Sequence, residues 1–249
     1  LNFEQIKSIR ISIPTLNEQK HIAELLCTIN QRIETQNKII EDLKKLKSAI
    51  VEMLFCKQGG VLLKLGDVGS FVRGLTYSSE DVTEDINATT VIRANNLNYG
   101  NNVNKEDVVY VNKKPTEIQI LRKGDIVICM ANGSSSLVGK NSYYSFNDRQ
   151  STIGAFCGIY RTSQPLAKWL MQSQRYKRLV YQSLQGGNGA IANLNGDDIL
   201  NMTFRVVKDE KSVSILSTLG LIENSIAVNE RLQELYSIQK EYLLQHLFI

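Results

Sequence analysis

Proline is nearly missing from this chain: three in 249 residues, at positions 14, 115 and 165. That excludes the Asn-Pro-Pro-aromatic segment with which amino-methyltransferases hold an extrahelical base. Histidine is scarcer still, with only His21 and His246. The four cysteines, Cys27, Cys56, Cys129 and Cys157, show no C-x-x-C spacing. Neither a structural zinc site nor a disulfide framework follows from such a set, which suits a reducing, cytoplasmic setting. No apolar run approaches 18 residues and no signal peptide is present, so nothing points to a membrane or to export. No G-x-G-x-x-G follows a strand pattern, which removes a dinucleotide or S-adenosylmethionine cradle. Residues 133–140 (GSSSLVGK) imitate a phosphate loop, but five residues rather than four separate the glycines. Asn141 also replaces the hydroxyl that would hold magnesium. Asp67, Asp125 and Asp148 read as turn and surface acids rather than as a nuclease centre.

What the sequence does have is a duplication. Shifted by 193 positions, residues 1–55 align on residues 194–248 without a gap and with 11 identities. A long internal repeat dictates architecture. Here it implies helix, globular insert, helix.

The repeated stretch carries a heptad seam. In the first copy Leu26, Ile29, Ile33, Gln36, Ile40, Leu43, Lys47, Ile50 and Leu54 alternate in steps of three and four. The second copy places Leu219, Ile222, Ile226, Asn229, Gln233, Tyr236, Lys240, Leu243 and Leu247 in the same phase. The polar breaks Gln36 and Lys47 recur as Asn229 and Lys240. Matched breaks fix register, so the two helices are expected to pair in an antiparallel coiled coil. Ile29, Ile33, Gln36, Ile40 and Leu43 would meet Ile222, Ile226, Asn229, Tyr236 and Leu243. Thr15 and Glu18 form a capping box that starts the first helix, and Gln58-Gly59-Gly60 is expected to stop it. The second helix is expected to begin near Asp209.

Between the copies the period changes to two. Residues 64–72, 90–93, 107–111, 125–130, 141–146 and 155–160 read as strands with Asn, Gly and Ser turns between them. Pro165 opens an amphipathic helix to about Leu184, with Leu166, Trp169, Leu170, Tyr176, Val180 and Leu184 on its apolar side. The glycines at 186–189 are expected to end it. The fold class is therefore α+β: a mostly antiparallel mixed domain flanked by two long helices. The expected divisions are 1–15, a strand and linker; 16–58, the first helix; 61–207, the mixed domain; and 209–249, the second helix. Because residue 1 is equivalent to residue 194, the start resembles the tail of another such domain, and a preceding one is expected.

Charge is unevenly spread. Residues 61–193 hold 15 Lys/Arg against 10 Asp/Glu, while the remainder holds 14 against 15. A modest surplus on one unit permits nucleic acid as a partner. The chemistry-bearing residues there sit in polar turns: Arg73, Thr76 and Tyr77; Arg93 and Asn95; Asn132, Ser134 and Ser135; then Lys140, Arg149 and Asn188. Arg reads guanine, Asn reads adenine, and hydroxyls and Lys hold phosphates. Taken singly, each is better explained by turn formation or solubility than by base or phosphate contact.

Certain segments carry a resemblance. Ile11-Ser12-Ile13-Pro14, Asn17-Glu18-Gln19 and the helix ending at residues 49–55 resemble the central conserved region of type I restriction–modification specificity subunits. Leu65-Gly66-Asp67-Val68 and Arg73-Gly74-Leu75-Thr76 resemble the opening of a target recognition domain of that family. Residues 121–128 (LRKGDIVI), Asn132-Gly133-Ser134 and Val138-Gly139-Lys140 form the most specific match, and residues 189–199 (GAIANLNGDDI) resemble its close. Val207 departs from the family's usual proline, and Leu75-Thr76-Tyr77 from a common Thr-Pro pair.

The resemblance implies a non-catalytic DNA-reading subunit with one recognition domain, as a fragment or a half-subunit. The domain would read half of a bipartite target while paired helices set the spacing. Its partners would be double-stranded DNA, methylation subunits and, through them, a restriction subunit; a half-subunit would form a homodimer. The chain itself would need no cofactor, with S-adenosylmethionine, ATP and Mg on the partner subunits. The competing class is a coiled-coil interaction protein whose basic domain binds another protein.

Overall fold

The computed structural model describes residues 2, 7, 13–55, 58–185, 192–207 and 209–247. Residues 9–12, where the strand expected within 1–15 would lie, fall outside them, as does the expected helix end at 186–189 with Asn188. The described residues form a mixed α/antiparallel-β architecture with two long helices, α1 (Leu16–Glu52) and α6 (Asp209–His246). The chain divides into two compact units, one of Leu1–Lys47 with Leu219–Ile249 and one of Ser48–Thr218.

In the first unit the two helices pair along the heptad seam. Ile29, Ile40, Ile222 and Ile226 are buried, and Ile33, Leu43, Tyr236 and Leu243 are half-buried. Gln36 is only 5% exposed and donates its side-chain amide to Oδ1 of Asn229. Lys44 closes an ion pair of 2.7 Å with Glu230, and the Arg32 guanidinium lies 5.8 Å from the centre of the Tyr236 ring. Antiparallel pairing places Lys47 and Lys240 toward opposite ends of the seam, so this second matched pair of polar breaks is not mutual. The start of α1 is a reciprocal box: Thr15 N and Oγ1 both donate to Glu18 at 2.8 Å, and Glu18 N donates back to Thr15 Oγ1 at 3.4 Å.

The helix α1 stops at Glu52 rather than at the Gly pair. Its last turn tightens into i→i+3 bonds from Met53 to Ile50 and from Leu54 to Val51. Pairing with another segment then takes over: Val207 N donates to the Leu54 carbonyl at 2.9 Å, and Phe55 bridges to Val206. Leu54 is fully buried in the second unit and so is not part of the paired seam. Gly59 and Gly60 do adopt positive φ, 71° and 75°, but in the connection beyond the helix.

The second unit holds two four-stranded sheets. One runs β2 (Gly69–Arg73), β10 (Cys157–Thr162), β6 (Ile126–Cys129), β8 (Asn141–Tyr143), antiparallel throughout. The other runs β3 (Val82–Thr83), β5 (Val109–Val111), β4 (Thr89–Ile92), β9 (Ser151–Ile153), with β4 and β9 parallel. Two further pairs join β1 (Val61–Lys64) to β12 (Thr203–Val206) and β7 (Ala131–Asn132) to β11 (Ala192–Asn193). Ile92 and Ile153 from one sheet pack with Val127, Cys129, Cys157 and Ile159 from the other, closed by Leu97, Val103, Leu121 and Tyr144. Burying each such aliphatic side chain contributes roughly 1.5–3 kcal/mol.

Several expected strands are shorter or broken. Residues 64–72 are interrupted by a helical turn, α2 (Leu65–Val68), because Leu65 is buried and its amide donates to Met202 O at 3.0 Å while its carbonyl accepts from Tyr160 OH at 2.8 Å. Asp107 takes a left-handed φ of 54°, so the strand read from 107 starts at Val109. The strand read over 155–160 begins only at Cys157, after a turn closed by Cys157 N to Gly154 O at 2.9 Å.

The helix expected from Pro165 is two helices, α3 (Leu166–Leu170) and α4 (Gln174–Gln185). Ser173 separates them: its hydroxyl donates to Leu170 O at 2.6 Å and accepts from Tyr176 N at 3.1 Å, ending one helix and capping the next. A last short helix, α5 (Gly196–Leu200), is boxed by Asn195 and Asp198.

Asp125 is not a surface acid. It is 2% exposed and receives Arg161 in a two-pronged pair, Nε to Oδ1 at 2.8 Å and Nη2 to Oδ2 at 2.7 Å. The remaining Arg161 bonds go to the carbonyls of Ile118 and Ile120. Asp148 is bound by Lys105 at 2.6 Å and Tyr144 OH at 2.6 Å. Burial alone would raise its pKa, but those partners and Ser151 hold it at about 2.

Candidate functional site

The turn between β9 and β10 organises the polar surface of the second unit. Gly154, Ala155, Phe156 and Cys157 form it, and the Phe156 carbonyl accepts from Met130 N at 2.8 Å and Ala131 N at 3.3 Å. The backbone is therefore fixed on both sides. The phenyl ring is nevertheless 69% exposed. Gly74 passes beside this turn so closely that a Cβ there would run into the Gly154 carbonyl.

Two clefts share Ala131, Ala155, Phe156 and Cys157 as a common wall. The larger, about 540 Å³, is lined also by Tyr77, Arg93, Ala94, Asn95 and Asn132. The smaller, about 330 Å³, is lined also by Arg73, Thr76, Asn193 and Asn195. Six of the residues read from the sequence, Arg73, Thr76, Tyr77, Arg93, Asn95 and Asn132, thus surround one exposed ring.

Their side chains are not equally available. Arg73 ends β2, is exposed, and its guanidinium has no bonded partner among the described residues. Arg93 is engaged: Nη2 donates to the Asp107 carbonyl at 3.2 Å and lies 3.5 Å from its carboxylate, while Nε is buried with no partner among the described residues. Asn95 donates to Asp107 Oδ2 at 2.9 Å. Asn132 accepts from Ser134 N at 2.9 Å, leaving a lone pair on Oδ1. Of the two guanidiniums, that of Arg73 is the more available for a new planar partner.

The remaining residues lie elsewhere. Ser135 and Lys140 line a third cleft of about 350 Å³ with Tyr99, Tyr176 and Lys177. Ser134 shares a hydrogen bond of 2.8 Å with Ser136 and, like exposed Arg149, lines none of the three.

Phe156, Asn193 and Asn195 were not singled out by the sequence. The sequence pattern places Phe156 within a strand over 155–160. A better signal is the Gly-Ala-Phe run, a turn-forming glycine directly before a large aromatic.

Burial pushes the Cys157 thiol up to about 12 and raises Cys129 as well, so both are inert. Among the described residues no group of three or more His, Cys, Asp or Glu is placed to hold a metal ion, and no helix is long and apolar enough to cross a membrane.

Comparison with known proteins adds relatives. Residues 1–45 match the family model of the type I restriction modification DNA specificity domain. The chain is 28% identical over 165 residues to the specificity subunit of the type I restriction enzyme EcoKI of Escherichia coli K12, covering 63% of this chain and 35% of that protein. It is 26% identical over 195 residues to the StySPI specificity subunit of Salmonella potsdam, covering 74% and 41%. The chain thus spans well under half the length of these curated relatives. Its fold is similar to the crystal structure of a type I restriction–modification S subunit from M. genitalium, with a TM-score of 0.64 and 17% identity, over 100% of this chain and 66% of that one.

Proposed function

We propose that this chain, being related to the type I restriction–modification specificity subunits, is a DNA-reading polypeptide whose mixed domain recognises one half of a bipartite duplex target. The observation that carries the reading is the match to two specificity subunits over most of this chain, on a fold of the same kind. The cleft pair around Phe156 supports it. Arg and Asn side chains converge there on a surface with an exposed Arg73, unbonded among the described residues, as base-edge recognition requires.

On this reading the chain performs no chemistry itself. The helix pair of α1 and α6 sets the distance between half-sites and docks methylation subunits, and a restriction subunit joins through them. S-adenosylmethionine, ATP and Mg act on those partners. The setting is the prokaryotic cytoplasm, and a second recognition domain comes from the rest of a longer chain or from a second copy.

The test is the DNA methylation motif in cells with and without this chain, followed by its deletion series. Removing residues 61–193 from the complete assembly is expected to abolish recognition of one half-site. An unchanged target sequence would overturn the proposal.

A further inference from the structure

Phe156 is one of the large exposed apolar residues of the second unit, and the one that stands between the two clefts. A large apolar ring held 69% in solvent contributes little to stability. Flexibility does not account for it either. The turn is closed by Cys157 N to Gly154 O at 2.9 Å, its carbonyl is held by Met130 and Ala131, and the next residue enters the centre of a sheet. Gly74 donates to Cys157 O at 3.2 Å, and Leu75 to Ile153 O at 2.7 Å, clamping the turn from a second direction. The ring is carried on a fixed backbone turn, at the ridge between the two clefts.

The surroundings define what it meets. Beside the ring the wall is made of small apolar residues, Ala131, Ala155 and Cys157, with Ala94 in the larger cleft. Asn132 and Asn95 stand in that same cleft. In the major groove a thymine offers a C5-methyl group that takes apolar contact from phenylalanine, and the paired adenine offers N6 and N7 to asparagine. An apolar ring and floor beside asparagine amides match the two edges of one A·T pair.

We propose that Phe156 is a specificity-determining residue that contacts the 5-methyl group of a thymine in the half-site, with Asn132 reading the paired adenine. The inference rests on the DNA-reading function above and adds a base identity and an atom to it.

The experiment uses the complete enzyme assembled with this chain, on its own duplex target, replacing each half-site thymine by deoxyuridine in turn. That change removes one methyl group and leaves base pairing intact. At one thymine the wild-type assembly is expected to bind about three- to tenfold more weakly. Phe156→Ala is expected to bind the thymine duplex more weakly by a similar factor and to be indifferent to uracil at that position. Phe156→Leu is expected to retain part of the discrimination.

A half-site with no thymine, tolerance of uracil at every position, or an equal uracil penalty in Phe156→Ala would each overturn the assignment. So would a loss in Phe156→Ala that is the same for every duplex, which is the signature of a ring wedged between base pairs. Failure of the underlying reading is separately visible: Arg73→Ala and Asn132→Ala would then leave the target sequence unaltered. Because the ring is exposed, the variants are expected to assemble and melt as the wild type does.

Discussion

Gln36 donates its side-chain amide to Asn229, and these two residues are each other's equivalents in the duplicated segment, 193 positions apart. Two antiparallel helices built from the same segment are related by an approximate two-fold axis. A residue meets its own equivalent only where that axis passes. The polar pair therefore marks the centre of symmetry of the helix pair, with Ile29 and Ile40 buried on either side of Gln36. Any slip of one heptad would leave both amides facing hydrocarbon.

Replacing one member is expected to be worse than replacing both. Gln36→Leu alone removes the donor to Asn229 Oδ1 within the seam, while Asn229 Nδ2 keeps its bond to the Ser225 carbonyl, at a cost of about 1–3 kcal/mol. The double variant Gln36→Leu/Asn229→Leu is expected to be neutral or more stable in urea unfolding, while losing uniqueness of register. Additive single-variant losses in the double variant would contradict the pairing.

The seam was legible because a period of 3.5 residues persists over nine positions and because the repeat supplies it twice. The box at Thr15 and Glu18 was legible for a similar reason, being local in sequence. What escaped is set by partners distant along the chain. Leu65 leaves its strand because Met202 and Tyr160 take its backbone groups. Asp125 is buried because Arg161, 36 residues on, reaches it. The clustering of Arg73, Arg93 and Asn132 was readable only as three similar turns. That they flank one ring depends on β10 lying between β2 and β6.

The Asp125–Arg161 pair gives a stability prediction in the second unit. Its two-pronged geometry lies under the loop at Ile118 and Ile120, with Asp125 almost wholly buried. Asp125→Ala is expected to strand the guanidinium and cost roughly 3–5 kcal/mol. Thermal unfolding should show a drop of many degrees, whereas Asp67→Ala, at an exposed position, should move little. Equal effects from the two would refute the contrast.

Acid sensitivity should centre on Asp148. Its folded-state pKa of about 2 lies below the roughly 3.9 of an unfolded aspartate, so its contribution is complete above the unfolded value. It is lost as pH falls from about 4 toward 2, when protonation releases Lys105 and Tyr144. Asp148→Asn is expected to flatten the stability profile in that window relative to wild type, measured by urea midpoints from pH 2 to 6. A parallel profile for the variant would count against the assignment.

Thiol reactivity should separate the cysteines by environment. Cys27 is exposed on α1, whereas Cys129 and Cys157 are buried with raised pKa values. Peptide mapping after brief maleimide treatment at pH 7 is expected to find Cys27 modified, and Cys129 and Cys157 unmodified until denaturant is added. Early labelling of Cys157 would show that the turn bearing Phe156 opens readily, against the rigid clamp by Gly74 and Leu75.

Base reading and phosphate binding should part company at Arg73, Asn132 and Lys140. Arg73 and Asn132 belong to the clefts beside Phe156, whereas Lys140 lines a separate cleft with Lys177. A side chain on a base edge favours one sequence, so Arg73→Ala or Asn132→Ala should cost about 1–3 kcal/mol on the target and relax a single position. A lysine on phosphate neutralises charge whatever the sequence. Lys140→Ala is therefore expected to weaken all duplexes alike and to reduce the slope of log affinity against log salt by about 1. Binding titrations of the complete assembly over a salt series and a panel of single-position duplexes measure both quantities. Relaxed sequence preference from Lys140→Ala, with a uniform loss from Arg73→Ala, would reverse the roles and move the base-reading surface from the Phe156 ridge to the third cleft.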